Sequence, residues 1–242
     1  MELEVIGFDL ASCLAAERCG ANRIELCANP HEGGTTPSYG MIDIARQNTS
    51  IQLFPIIRPR GGDFLYDDLE FRAMLADIGQ CRDLGCDGVV IGMLSSDGSV
   101  DTERCAELIR QAGPMQVTFH RAFDRARDPM SALEDVIELG CTRILTSGLR
   151  PNVDLGKEML RTLVQKAGDR ITVMPGSGVR STNVGELAKF TGARAFHSSA
   201  RSNRPSAMGY TNPAMVENLE SVGIDPDEVT EMRRILDALS SR

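Results

Sequence analysis

Leu84-Gly85-Cys86-Asp87-Gly88-Val89-Val90-Ile91-Gly92 holds a complete joint of the fold: the end of an amphipathic helix, a glycine, then a short β-branched run. The same order returns in Leu139-Gly140-Cys141-Thr142-Arg143-Ile144-Leu145-Thr146, and its glycine joint recurs in Cys19-Gly20-Ala21 and Thr191-Gly192-Ala193. Glycine takes the left-handed conformation that ends a helix and returns the chain to the sheet. Working outward from these joints, strands are expected at Leu3–Ile6, Arg23–Leu26, Ile51–Ile57, Gly88–Gly92, Gln116–His120, Arg143–Thr146, Ile171–Met174 and Arg194–His197. Apolar residues at helical spacing fill the intervals, most clearly over Leu69–Leu84, Asp101–Gln111 and Asp128–Leu139.

Eight βα units in 242 residues match the size of a (β/α)8 barrel, about 250 residues. The prediction is an α/β fold: a single-domain TIM barrel over residues 1–242, with residues 202–242 forming extra C-terminal helices. A doubly wound sheet would carry a glycine-rich dinucleotide turn after its first strand, and Gly7-Phe8-Asp9-Leu10 is not one. The C-terminal helices are expected at Pro213–Val222 and Pro226–Leu239, the second opened by Asp225-Pro226-Asp227-Glu228 as a capped first turn. They would complete the outer ring and supply a subunit contact, which predicts a homodimer or higher homo-oligomer.

The chain carries 26 basic and 34 acidic side chains, a net charge of −8, with 42% hydrophobic residues. An acidic surface without basic clusters argues against a nucleic-acid partner. No apolar run approaches a membrane span, and Met1–Leu10 has no basic segment ahead of an apolar one, so no membrane association and a cytoplasmic location are expected. Seven cysteines without a C-x-x-C pair fit reduced thiols better than a disulfide framework.

Side chains alternate along a strand, and in a barrel the apolar set packs outward on the helices. In Arg23-Ile24-Glu25-Leu26-Cys27 this turns Arg23, Glu25 and Cys27 inward; in Val117-Thr118-Phe119-His120 it turns Thr118 and His120 inward; His197 points in beside Phe196 pointing out. Arg58 and Arg60, following the third strand, reach the same mouth if the chain stays extended. Ionisable groups converge where barrel enzymes keep their chemistry. His120 is then a general acid or base, and Asp124 its orienting partner or a second acid/base group, with Glu25 open to either role. Arg58, Arg60 and Asp63 in Arg58-Pro59-Arg60-Gly61-Gly62-Asp63-Phe64 would bind a carboxylate or phosphate. Gly176 and Gly178 after the seventh strand, with His197, Ser198, Ser199 and Arg201 after the eighth, occupy the usual phosphate position of such barrels, and Thr146 and Ser147 would add hydroxyls. The partner expected from these residues is a small anionic ligand or substrate, held with or without turnover; hydrolysis, lyase chemistry and isomerisation stay open.

Six motifs in consistent order, Arg23–Cys27, Glu32–Ser38, Ile57–Phe64, Thr118–Asp124, Leu145–Gly148 and Phe196–Ala200, resemble the CutC family of copper homeostasis proteins. The resemblance implies a cytoplasmic, oligomeric TIM barrel that handles copper, with copper(I) as its metal. It also implies copper(I) ligation by two cysteines, at the ends of the first two strands. Cys27 matches the second position, and Ile6 stands at the first.

Overall fold

The computed structural model describes residues 1–240. Eight strands form the inner wall: β1 (Glu2–Gly7), β2 (Arg23–Leu26), β3 (Gln52–Pro55), β4 (Gly88–Ile91), β5 (Gln116–Phe119), β6 (Arg143–Thr146), β7 (Thr172–Pro175) and β8 (Ala195–Ser198). They run parallel in two arcs, β3-β2-β1-β8 and β4-β5-β6-β7. The arcs meet where Ile57 N–H donates to Val90 O at 2.8 Å beside β3 and β4, and where β7 lies against β8. The result is the closed α/β barrel expected from the repeat. Each predicted strand is present, with ends within two residues of those expected.

Helices α1 (Leu10–Arg18), α2 (Tyr39–Asn48), α3 (Asp68–Asp83), α4 (Thr102–Ala112), α5 (Pro129–Glu138), α6 (Val153–Ala167) and α7 (Val184–Thr191) follow the first seven strands in turn. Six of them start on a side chain that accepts from the first turn: Asp9, Ser38, Asp67, Asp101, Asp128 and Asn152. Each such cap is worth about 1 kcal/mol. Gly20, Gly85, Gly140 and Gly192 all have positive φ, as the joint motif requires.

The C-terminal region departs from expectation. Residues 213–222 form no helix; instead β9 (Arg201–Arg204) pairs antiparallel with β10 (Ser221–Ile224), and the stretch between them is exposed, Val216 completely so. Pro213–Val222 has helical spacing but no partner for an apolar face. Helix α8 (Pro226–Ser240) does form, burying Val229, Met232 and Leu236 and packing on α7, α1 and β1. It is therefore the eighth helix of the ring rather than an addition to it.

The inward and outward sets separate as the alternation rule requires. Leu3, Val5, Ile24, Leu26, Leu53, Val89, Ile91, Val117, Phe119, Ile144, Val173 and Phe196 join the helices in one large core. Inside the barrel, apolar side chains form only two small groups: Ile6, Cys27, Phe54, Ile56 and Val90 on one wall, and Leu145, Met174 and Ala195 on the other. Charged side chains fill the space between.

Candidate functional site

The deepest charged layer is a plug. Arg23 is 1% exposed; its Nε pairs with Glu4, one Nη donates to Thr118 Oγ1 across the barrel, and its guanidinium lies 3.2 Å from the Phe54 ring centre. His197 Nδ1 bonds the other Glu4 oxygen at 2.7 Å. Burial alone would raise the Glu4 pKa, but Arg23 and His197 outweigh it and hold the carboxyl at about 2. Burial would likewise lower His197, yet the bond to Glu4 and the charge of Glu25 leave it raised.

Glu25 lies above this plug and forms part of the floor of a cavity of about 250 Å3. Its nearest cation is His197 Nε2 at 3.8 Å, too far for a hydrogen bond. Burial, with Glu4 adding repulsion against the pull of His197 and Arg23, pushes its carboxyl up to about 7. Opposite stands His120, 3% exposed. Ala122 N–H donates to its Nδ1 at 3.1 Å, so the lone pair is on Nδ1 and the proton on Nε2. Burial, then Arg58 and Arg121, push its pKa down to about 3. His120 is thus a neutral imidazole with its Nδ1 lone pair engaged by Ala122 and its proton on Nε2.

Arg58, Arg121 and Arg201 complete the cavity's polar lining with Ser177, Gly178 and Ser199, while Ile6, Phe8, Ile56, Phe64 and Leu145 supply apolar walls. Arg58 is 5% exposed and binds backbone oxygens of Glu32, Gly34 and Gly62 at 2.7–2.9 Å, which ties the loops after β2 and β3 over the mouth. Neither Arg58 nor Arg201 has a carboxylate partner among the described residues. Arg201 donates to Pro30 O at 3.0 Å. Glu25 is the one carboxylate among the lining residues, so the mouth is strongly cationic on a chain of net charge −8.

Of the residues expected at the site, Glu25, Arg58, His120, Gly178, His197, Ser199 and Arg201 come together around this cavity. Others do not. Arg60 turns away to Glu70 at 2.6 Å and Asp63 at 2.9 Å, because the chain leaves extended geometry at Gly61-Gly62. Asp124 does not reach His120; it accepts from Arg121 Nε at 2.7 Å and from Ser147 and Leu149 N–H, and so fixes Arg121. Thr146 and Ser147 spend their hydroxyls on Asp124. Ser198 donates to Val179 O at 2.7 Å, away from the mouth, and Gly176 packs on Leu145 and His197. Helix α7 begins only at Val184, and none of its residues lines the cavity. Sequence reasoning missed Gly92 and left out Arg121. A Cβ on Gly92 would lie 2.4 Å from His120 Nδ1, and an inward-facing glycine at a strand end was the available signal.

The copper(I) fit can be tested on Cys27. It is buried in the barrel wall with Ile6, Phe54, Ile56 and Val90, and burial, with the Glu25 carboxylate nearby, raises its pKa well above the ordinary thiol value. Copper(I) prefers soft thiolate or thioether donors; here there is one thiol, held protonated, with Ile6 where a second would stand. Glu4, Glu25 and His197 also bring ligand atoms within 4.8 Å of one another. These are oxygen and nitrogen donors, and a cation among them would compete with Arg23 for Glu4 and with Glu4 for His197. The donor set does not fit copper(I).

The CutC family model matches residues 1–202. The chain belongs to the CutC family. A family protein CutC from Chromobacterium violaceum is 55% identical over 208 residues, covering 86% of this chain and 84% of the relative. The human copper homeostasis protein cutC homolog is 46% identical over 213 residues, covering 88% and 78%. A solved CutC structure from Streptococcus agalactiae superposes with a TM-score of 0.79 at 34% identity, covering 82% of this chain and 98% of that one. The family match ends at Ser202, so it spans every cavity residue and stops before most of the β9–β10 hairpin. No helix among the described residues is long and apolar enough to cross a membrane.

Proposed function

We propose that this member of the family is an enzyme that moves a proton on a small anionic substrate held at the carboxyl end of the barrel. The observation that carries the reading is the cavity's charge: three guanidiniums and one carboxylate, with two of the guanidiniums free of any acidic partner among the described residues. Arg58 is a buried cation without a counterion and Arg201 an exposed one at the rim, and a ligand carboxylate or phosphate would offset the cost of the first and pair with the second. Glu25, with a pKa near 7, is suited to take and return a proton at neutral pH. The seven unpaired cysteines are consistent with a reducing, cytoplasmic setting.

The test is calorimetric titration with inorganic phosphate and 2-phosphoglycolate. Wild type binds, and Arg201→Ala with Arg121→Ala weakens binding at least about tenfold, the equivalent of about 1.4 kcal/mol. Equal affinity in wild type and double variant rejects the reading.

A second reading takes the human relative's name at its word and assigns this chain a role in copper homeostasis, with copper(I) on Cys27. Its support is that relative's name together with Cys27, which stands at one of the two thiol positions the resemblance implies. Competition against a copper(I) chelator decides it: tighter binding by wild type than by Cys27→Ser supports a copper site, and equal weak binding removes it.

A further inference from the structure

We propose that the substrate is a small carbonyl compound bearing an anionic group, whose carbonyl oxygen accepts from His120 Nε2–H while Glu25, on the facing wall, exchanges the proton on the adjacent carbon. This rests on the acid/base reading above and goes further by naming the reacting group.

His120 Nε2 is buried and has no hydrogen-bond partner among the described residues. Leaving a buried donor unsatisfied is destabilising, so the ring must be held there by its surroundings. The Ala122 N–H fixes Nδ1, the absent side chain of Gly92 makes room for the ring, and Phe64 lies 5.0 Å from it, centre to centre. The proton therefore stays on Nε2 in a ring lining the cavity. An acceptor on a bound ligand is what the arrangement lacks.

The ring's neutrality narrows the class. Arg58 and Arg121 already supply full positive charge beside it, and with burial they keep His120 unprotonated throughout the neutral range. Permanent anionic charge on a ligand belongs with the guanidiniums. A neutral N–H donor suits an oxygen that is uncharged on binding and gains negative charge during reaction, which describes a carbonyl becoming an enolate.

The two groups face each other across the barrel. One layer below, Arg23 on β2 reaches Thr118 on β5 directly. Glu25 lies two residues further along β2, and His120 two residues past Thr118, just beyond the end of β5; both line the cavity. At about 250 Å3 the space falls below the usual range for drug-sized ligands, about 300–1,000 Å3.

The step balances without an oxidant or reductant. A Glu25 oxygen takes the proton from the carbon next to the carbonyl, and the C–H electron pair becomes a C=C bond. The carbonyl π pair moves onto oxygen, where Nε2–H stabilises it. Returning the proton to the same carbon gives exchange. In an α-hydroxy carbonyl, returning it to the neighbouring carbon, with the hydroxyl proton transferred to the other oxygen, gives isomerisation.

The experiment incubates full-length protein in D2O with glycolaldehyde phosphate, dihydroxyacetone phosphate and hydroxypyruvate, following loss of the α-hydrogen signals by NMR. Wild type is expected to accelerate exchange of at least one probe by about 100-fold or more over buffer. Glu25→Gln should return it to the buffer rate. His120→Gln, with thermal unfolding confirming the fold, should slow exchange at saturating probe while leaving inorganic phosphate affinity within a few-fold. Buffer-rate exchange of all three probes by protein that binds 2-phosphoglycolate overturns the carbonyl assignment and leaves the anion reading standing. Failure to bind 2-phosphoglycolate at all overturns both.

Discussion

Replacing Arg23 with methionine tests whether the charged plug is held together as its contacts indicate. Methionine keeps an apolar stem against Phe54 but removes the ion pair to Glu4 and the bond to Thr118. The Glu4 carboxylate, fully enclosed, is left with His197 alone. Deleting one partner of a buried pair costs about 3–5 kcal/mol because the other charge stays buried. For a chain of this size each kcal/mol moves the melting temperature by about 2–4 °C, so Arg23→Met should melt about 6–20 °C lower at pH 7. Glu4→Gln combined with Arg23→Met removes both charges, and the amide oxygen it introduces still accepts from His197, so more than half of the loss should return. The pair also has a pH signature. Because Glu4 is held at about 2, below its ordinary value of 4.5, its contribution is complete above pH 4.5 and disappears as pH falls through about 2. Thermal unfolding followed by circular dichroism, with urea m-values to confirm an unchanged transition, gives the comparison. If Arg23→Met melts within about 2 °C of wild type, or the double variant is no better than the single, the plug does not work as an ion pair.

Gly92→Ala places a methyl 2.4 Å from His120 Nδ1 and 3.0 Å from Ala122 Cβ. It should displace the imidazole and cut turnover or probe exchange by at least about tenfold while phosphate affinity holds, since a small misplacement of a reacting group is costly; unchanged exchange would show that the ring has room to spare. Glu25→Gln should reverse a pH trend. A carboxyl raised from 4.5 to about 7 binds its proton more tightly in the folded state, so wild type loses stability as pH rises from about 4.5 through 7. The variant should melt above wild type at pH 8 and close to it at pH 4.5, and parallel melting curves across that range would contradict the burial argument.

The barrel and the direction of its interior side chains were legible because two periodicities agree. Glycine joints mark each helix end, and the alternation in Arg23-Ile24-Glu25-Leu26-Cys27 assigns one set to the helices and one to the interior. The same rule sets aside Thr146 and Ser198: they share parity with the outward Ile144 and Phe196, and both are turned from the cavity. Beyond the strand ends the rule stops. Arg60 follows a proline and precedes two glycines, so its direction depends on Glu70, ten residues on and in another element. Asp124 lies one 3-10 turn beyond His120, and that turn aims it back at Arg121, three residues earlier, rather than at the imidazole. Short spacing could not distinguish the two partners.

The plug leaves Glu25 as the carboxyl without a close charged partner. Glu4 and Arg23 neutralise each other, and His197 spends its Nδ1 on Glu4, so below the floor the strong bonds are already made. Glu25, one layer up, faces His197 Nε2 at 3.8 Å and a weak thiol donor, and keeps most of its desolvation uncompensated. A carboxylate that were merely structural would sit where Glu4 sits, with its pKa driven down. Two glutamates in neighbouring strands, one layer apart, are therefore pushed in opposite directions by the same barrel, and the raised one opens on the cavity. That divergence is the pattern by which paired acids divide structural from proton-transfer roles. It also weighs against a metal between them, because a cation bridging Glu4 and Glu25 would need both carboxylates charged beside Arg23 and a charged His197.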